Sequence, residues 1–211
     1  MSRLLAVTML LAGFGCTEEF KPPPKEDKPP VEKDNIVKIT TAVPYGKTVA
    51  CEEIFDRDKV SGYLNDVVDV KDRTKSTREA TAVCAIMRSG EPPETNGELK
   101  VKNKNQILGV LPGDEYCTIT LYCSRPADKE RFKKKCEDKG DEGNRDLDQY
   151  SCVHKSQRAA KYAYTYKTIH RQTKCQIEVM GGPSVTDEPL VQNCTKAAIE
   201  LLDKDNLKNF K

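Results

Sequence analysis

The chain has 211 residues, of which 32% are charged and 6% aromatic, with no tryptophan, and its formal net charge is +2. So small an excess, spread through intermixed acids and bases, excludes a dedicated nucleic-acid binder, which would carry a clustered basic stripe. The length suits one ordinary domain or two small ones.

At the N-terminus, Arg3 precedes twelve residues without a charge, Leu4 to Gly15, the basic start and short apolar run of a secretory signal peptide. A bilayer-spanning helix needs about 20 apolar residues, so residues 1–15 read as a signal rather than an anchor helix. Gly13, Phe14 and Gly15 lead directly into Cys16, and this segment resembles the lipobox of bacterial lipoproteins. The resemblance covers the first sixteen residues, and Phe14 departs from it by standing where the family usually has a small residue. It implies that Cys16 is lipidated (palmitate-type acylation) and becomes the mature N-terminus, attaching the protein to a membrane through lipid. Thr17 stands where an aspartate marks inner-membrane retention in Gram-negative lipoproteins, so the resemblance implies the outer membrane. The alternative is ordinary signal cleavage that leaves Cys16 as a spare thiol.

Residues 16–34 follow as the lipidated cysteine and a tether. Thr17 to Asp34 holds five prolines and ten charges in eighteen residues, too little apolar surface to offset the entropy of ordering the chain. At about 3.1 Å per residue, such a proline-rich segment extends up to roughly 55 Å. A partner-binding PxxP element is the alternative reading.

Residues 35–211 are expected to form a single disulfide-rich globular domain with a net charge of +3. With Cys16 assigned to lipid, eight of the nine cysteines remain: Cys51, Cys84, Cys117, Cys123, Cys136, Cys152, Cys175 and Cys194. An even count in an exported chain reads as four disulfides. No CxxC is present, so neither a zinc site nor thioredoxin-like chemistry has its spacing. No metal ligand set, cofactor or catalytic residue is assigned.

In chain order, Thr41 to Phe55 and Glu79 to Met87 are rich in β-branched and small apolar residues and are expected as strands, the second buried on both faces. Gly97 to Val110 reads as a polar strand, a turn at Asn103 to Asn105 and a return. Cys117, Ile119, Leu121 and Cys123 alternate with polar or aromatic residues, the period of a half-buried strand. Both cysteines therefore face the core, and neither can reach the other along roughly 20 Å of extended chain. Just upstream, Leu111, Pro112, Gly113 and Tyr116 resemble the LxPGxxY turn before strand F of fibronectin type III and immunoglobulin-like sandwiches. That resemblance, over some fifteen residues, implies a sandwich-like domain in which the tyrosine hydroxyl bonds back to the preceding turn.

Two helices are expected. The first has Pro126 in its first turn, Asp128 and Glu130 early and Lys133, Lys134 and Lys135 late. The second starts at Thr186, Asp187 and Pro189 and carries Leu190, Cys194, Ala197, Ala198 and Leu201 as an apolar stripe. Between them, Tyr162 to His170 and Lys174 to Met180 form a hairpin, with tyrosines 162, 164 and 166 on one face and at least one packed. Cys175 to Cys194 is the leading local pairing, although eight cysteines admit about 105 connectivities. The segments beginning at Cys84 and Cys175 share C-x-I-x3-G-x-P, read as similar strand exits rather than a duplication. The fold class is α+β: a mainly antiparallel, disulfide-braced β domain with two helices.

Chemical motifs are sparse. His154 and His170 lie in no Ser/His/Asp or HExxH setting. Gly181 to Ser184 reads as a plain strand-to-helix connection, since a P-loop's lysine and spacing are missing. Asn144, Asp146 and Asp148 alternate as calcium ligands do, but Gln149 and Lys155 occupy positions where an EF-hand needs glycine and glutamate. A solvated acidic loop is preferred, with a loop calcium site as the alternative. Asn193 begins an incidental glycosylation triplet in a helix. Two functions remain: a non-enzymatic cell-envelope lipoprotein that binds another envelope protein or a glycan, or an extracytoplasmic hydrolase with a dispersed site. A cleft holding His154 or His170 beside acidic groups would favour the hydrolase.

Overall fold

The computed structural model describes residues 42–75, 79–91, 110–139, 141–143, 147, 150–158 and 161–211, with the side chains of 158, 161 and 162 left aside. All belong to the compact unit Ile39–Lys211. Cys16, the tether, the expected Gly97 turn-and-return and the candidate calcium residues Asn144, Asp146 and Asp148 lie outside the described residues, as does the Tyr162 side chain.

Seven strands form one antiparallel sheet: β1 (Val68–Asp72), β2 (Ala82–Arg88), β3 (Glu115–Tyr122), β4 (Glu142–Gly143), β5 (Tyr150–Arg158), β6 (Lys161–Ile169) and β7 (Gln176–Gly181). Their order is β1-β2-β3-β7-β6-β5-β4. The alternation in β3 decides which side is core. Ile119 pairs with Cys84 and with Val179, and Leu121 with Ala82 and Ile177. These residues share one face and are fully buried. Tyr166, opposite Val179, extends that face and is 1% exposed. Tyr164 is buried as well, so at least two of the tyrosines of this face pack. On β2, Ala85 and Met87 on the other face are also buried, as its apolar run predicts.

The layer against this face is helical, where a sandwich would place a second sheet. It comprises α1 (Cys51–Ile54), α2 (Arg57–Leu64) and α4 (Glu188–Leu201), while α3 (Lys129–Asp138) packs near β4 and β5. The described residues 42–55 of the expected Thr41 to Phe55 strand form no strand. Val49 does bond to the Thr81 carbonyl, but Cys51 and Ile54, three residues apart, are both buried. That spacing is one helical turn, with Glu52 and Glu53 left to solvent. The two expected helices are α3 and α4. Asp128 caps α3 through the Arg131 N–H at 3.1 Å, so Pro126 precedes the helix instead of occupying its first turn. In α4, Asp187 is the N-cap and Pro189 sits in the first turn, where a missing N–H loses nothing. Its core side is Val191, Cys194, Thr195, Ala197 and Ala198, with Leu190 and Leu201 at the margins.

All eight domain cysteines are paired: Cys51–Cys84, Cys117–Cys194, Cys123–Cys175 and Cys136–Cys152. The local pairing of Cys175 with Cys194 does not form, and strand direction explains why. Helix α4 starts near the Gly181 end of β7, and Cys194 lies only about 9 Å along it. Cys175 is roughly 20 Å away at the other end of the strand. Cys117, opposite Gly181 in register, is the cysteine beneath Cys194. Cys175 instead meets Cys123 across the next step of the β3–β7 ladder, with Cα atoms 4.4 Å apart. Disulfides of this number belong to an oxidising compartment outside the cytoplasm. Among the described residues, no helix is long and apolar enough to cross a membrane.

The Leu111 turn does precede a strand, with Asp114 N–H bonding to the Leu111 carbonyl and Gly113 at φ +83°. Tyr116, however, sends its hydroxyl to the Asp66 carboxylate in the α2–β1 connection rather than back to that turn. Arg88 holds the same carboxylate at 2.9 Å. Burial, reinforced by Asp66, pushes the Tyr116 phenol up to about 12, and the tyrosine hydrogen bond holds Asp66 below the usual carboxylate range.

Candidate functional site

Helix α3 touches the sheet through a small satellite cluster. Its apolar residues Phe132 and Cys136, one turn apart, pack with Cys152 of β5 and Ile169 of β6. The remainder of the helix is charged, so the sheet end beyond this contact is left open. A cleft of about 990 Å³ results, floored by Phe132, Ile169 and the Cys136–Cys152 disulfide. Its volume is at the upper end of the roughly 300–1,000 Å³ typical of ligand sites. On the other side of α3 lies a hollow of about 430 Å³ bounded by Tyr45, Tyr122 and Arg125, with the Arg125 guanidinium 5.5 Å above the Tyr45 ring.

Among the described residues, cations predominate on the walls of the larger cleft. Lys129 and Lys133 come from successive turns of α3, and Arg171 and Lys174 from the β6–β7 connection. The Lys129 ammonium lies 5.0 Å over the ring of Tyr150, which is 46% exposed. Glu137 faces Lys133 at 3.8 Å, both well exposed, an arrangement worth at most about 1 kcal/mol. Asp141, the other acid, has no exposed side-chain surface and is held by His154 Nδ1 at 2.6 Å and Lys167 Nζ at 3.3 Å. Its charge is satisfied inside the protein.

The histidines are now placed. His170 does line the cleft with Glu137 and Asp141. Its Nδ1 is 2.8 Å from Thr173 Oγ1 and accepts the Thr173 N–H at 3.2 Å. Burial is the main cause of its lowered pKa, and the imidazole serves to pin the β6–β7 turn. Buried and held at Nδ1, His170 is poorly placed as a general base. His154 is oriented by Asp141 as a base would be, yet among the described residues no hydroxyl or thiol hydrogen-bonds its ring.

Cys136 Sγ, Cys152 Sγ and an Asp141 oxygen lie within 4.8 Å of one another. The two sulfurs are bonded to each other and offer no thiolate to a metal. The Gly181 to Ser184 segment is a plain connection: Gly182 N–H is taken by the Tyr116 carbonyl and Val185 N–H by that of Gly182. Asn193 is half-buried within α4. Asp141, Lys167 and Lys174 were not marked by any motif, because they come from a helix exit, a strand and a turn that only the fold assembles.

Because His170 is depressed, its contribution to stability is present above the unfolded value near 6.5 and is lost as pH falls below it. Thermal melts from pH 7.5 to 5 should therefore show falling stability, and the His170→Asn variant should show a flatter profile. Identical profiles would remove His170 as the cause.

Searches of family models, curated proteins and solved structures find no match to this chain. No class of protein is assigned by similarity, and its function rests on its own residues.

Proposed function

We propose that this protein is a non-enzymatic cell-envelope lipoprotein, held by a lipid on Cys16 at the outer membrane of a Gram-negative bacterium, that presents a disulfide-braced binding domain. The carrying observation is the broad cleft beside α3, lined by lysines and by a buried histidine held to the β6–β7 turn through Thr173. The signal-like segment, the Cys16 lipobox resemblance and the proline-rich tether support attachment. The four disulfides support an exported domain. The partner is another envelope protein or a glycan.

The Asp141–His154 pair favours a second reading, a hydrolase. The two are separated by surface crosslinking in the native envelope together with assays on ester and glycan substrates. Stoichiometric capture of an envelope partner, without hydrolysis, is expected. Hydrolysis abolished by His154→Gln, with nothing captured, would establish the hydrolase. Attachment is tested independently: Cys16→Ser should move the protein from the membrane to the soluble fraction, and a variant that stays membrane-bound would contradict lipid anchoring.

A further inference from the structure

The chemistry of the cleft narrows what it can hold. Lys129, Lys133 and Lys174 face it, against Glu137 and Asp141. Asp141 is paired with Lys167 and hydrogen-bonded to His154, and Glu137 is shared only loosely with Lys133. Burial lowers the pKa of His170, which is held to the turn by Thr173. Among the described residues, the walls therefore present an excess of positive charge. Beneath them the floor is apolar, made of Phe132, Ile169 and a disulfide.

A bare small anion would leave most of about 990 Å³ unfilled and would gain nothing from the floor. A polysaccharide is matched to exposed aromatic faces, and the cleft's exposed ring, Tyr150, already carries the Lys129 ammonium. A chain that alternates carboxylates with an apolar side chain satisfies both layers. Its acids would meet the lysines, and its apolar group would cover Phe132 and Ile169, an anchor flanked by charge-matched rim contacts.

We infer that the cleft between α3 and the β6–β7 turn binds an acidic peptide segment of a partner protein, with an aromatic or aliphatic residue seated on Phe132 and Ile169. The inference rests on the binding-module reading and specifies its partner.

Fluorescence anisotropy on the detergent-solubilised full chain tests it, using a labelled octapeptide of glutamates around a central phenylalanine and leucine. Three competitors are compared: the same peptide with lysine for glutamate, the same with serine for phenylalanine and leucine, and an octamer of galacturonic acid. The acidic apolar peptide should bind at least about tenfold more tightly than each competitor, and K129E/K174E should weaken it by at least about tenfold with an unchanged melting temperature. If that variant does not fold, Lys133→Glu, on an exposed position of α3, should still weaken binding about threefold.

Failure of the acidic peptide to bind, equal binding of the lysine peptide, or indifference to the charge reversals would overturn the inference. Tighter binding of the galacturonate octamer would overturn it in favour of a glycan. The broader reading is judged separately by envelope crosslinking. A partner captured equally by wild type and K129E/K174E would leave the module standing and this site refuted.

Discussion

Truncation after Pro183 is expected to leave a chain that neither melts cooperatively nor recovers its native disulfides. The deleted residues include α4, which covers β3, β6 and β7, and the segment beyond it, where Leu202 and Leu207 are 2% and 0% exposed. Shortening one such leucine to alanine costs about 2–5 kcal/mol, while a whole domain has only about 5–15 kcal/mol of stability. The deletion removes both leucines together with Val191, Ala197 and Ala198, and it exposes the core face of the sheet. It also strips the backbone pair between Thr48 and Lys211 and the Asn206 amide bonds to the α1 carbonyls, and leaves Cys117 without its partner. The C117A/C194A pair separates the covalent part. That bridge closes a separation of 77 residues, for which chain entropy gives about 4.5 kcal/mol, so this variant should fold with a lowered melting temperature. Circular dichroism melts and a disulfide map check both. A truncated chain that melts as wild type does, with the other three bridges intact, would show α4 to be peripheral.

Gly182→Ala should be the most damaging single-methyl change in the domain. A Cβ at this position would lie 1.8 Å from the Glu115 carbonyl oxygen and 2.7 Å from its carbon. Both are backbone atoms at the start of β3, and no side-chain rotation relieves the overlap. Gly182 also donates its N–H to the Tyr116 carbonyl, so separating the segments breaks that bond as well. Overpacking against a mobile side chain costs about 1–3 kcal/mol, and the backbone clash should reach or exceed the top of that range. In a domain of this size, about 3 kcal/mol lowers the melting temperature by roughly 6–12 °C. Gly143→Ala, whose Cβ meets nothing within 4 Å, is the control and should melt as wild type does. A G182A melting temperature equal to the control's would contradict the close β7–β3 approach.

Those two positions also show where sequence patterns carry structural information. In β3, alternation of Cys117, Ile119 and Leu121 with polar neighbours states which face is buried, because side-chain direction in a strand depends on local period alone. The start of α4 is equally local: Asp187 stands at the N-cap position and Pro189 in the first turn. The pairing of Cys117 with Cys194 depends instead on the direction of α4 over the sheet, which no neighbouring residue encodes. For α1, the β-branched residues Thr48 and Val49 signal extension, and both do hydrogen-bond through their backbones to distant segments; the turn at Cys51 to Ile54 is formed by burying two side chains of the same helical face. Gly182 was visible only as a residue of a connection, since its need for a missing Cβ arises from Glu115, distant in sequence. The cleft was least legible. Its lysines and Asp141 lie in different elements, and the late position of Lys133 to Lys135 in their helix does not reveal that Lys129 and Lys174 line one cleft.

The most direct test of the envelope-lipoprotein account is the intact mass of the chain extracted from its own membranes, measured before and after alkylation without reduction. The account predicts a mature chain that begins at Cys16, carries acyl groups there, and takes up no alkylating reagent because the eight remaining cysteines form four disulfides. A mature N-terminus elsewhere, an unacylated Cys16 thiol, or uptake of two or more alkyl groups would contradict it.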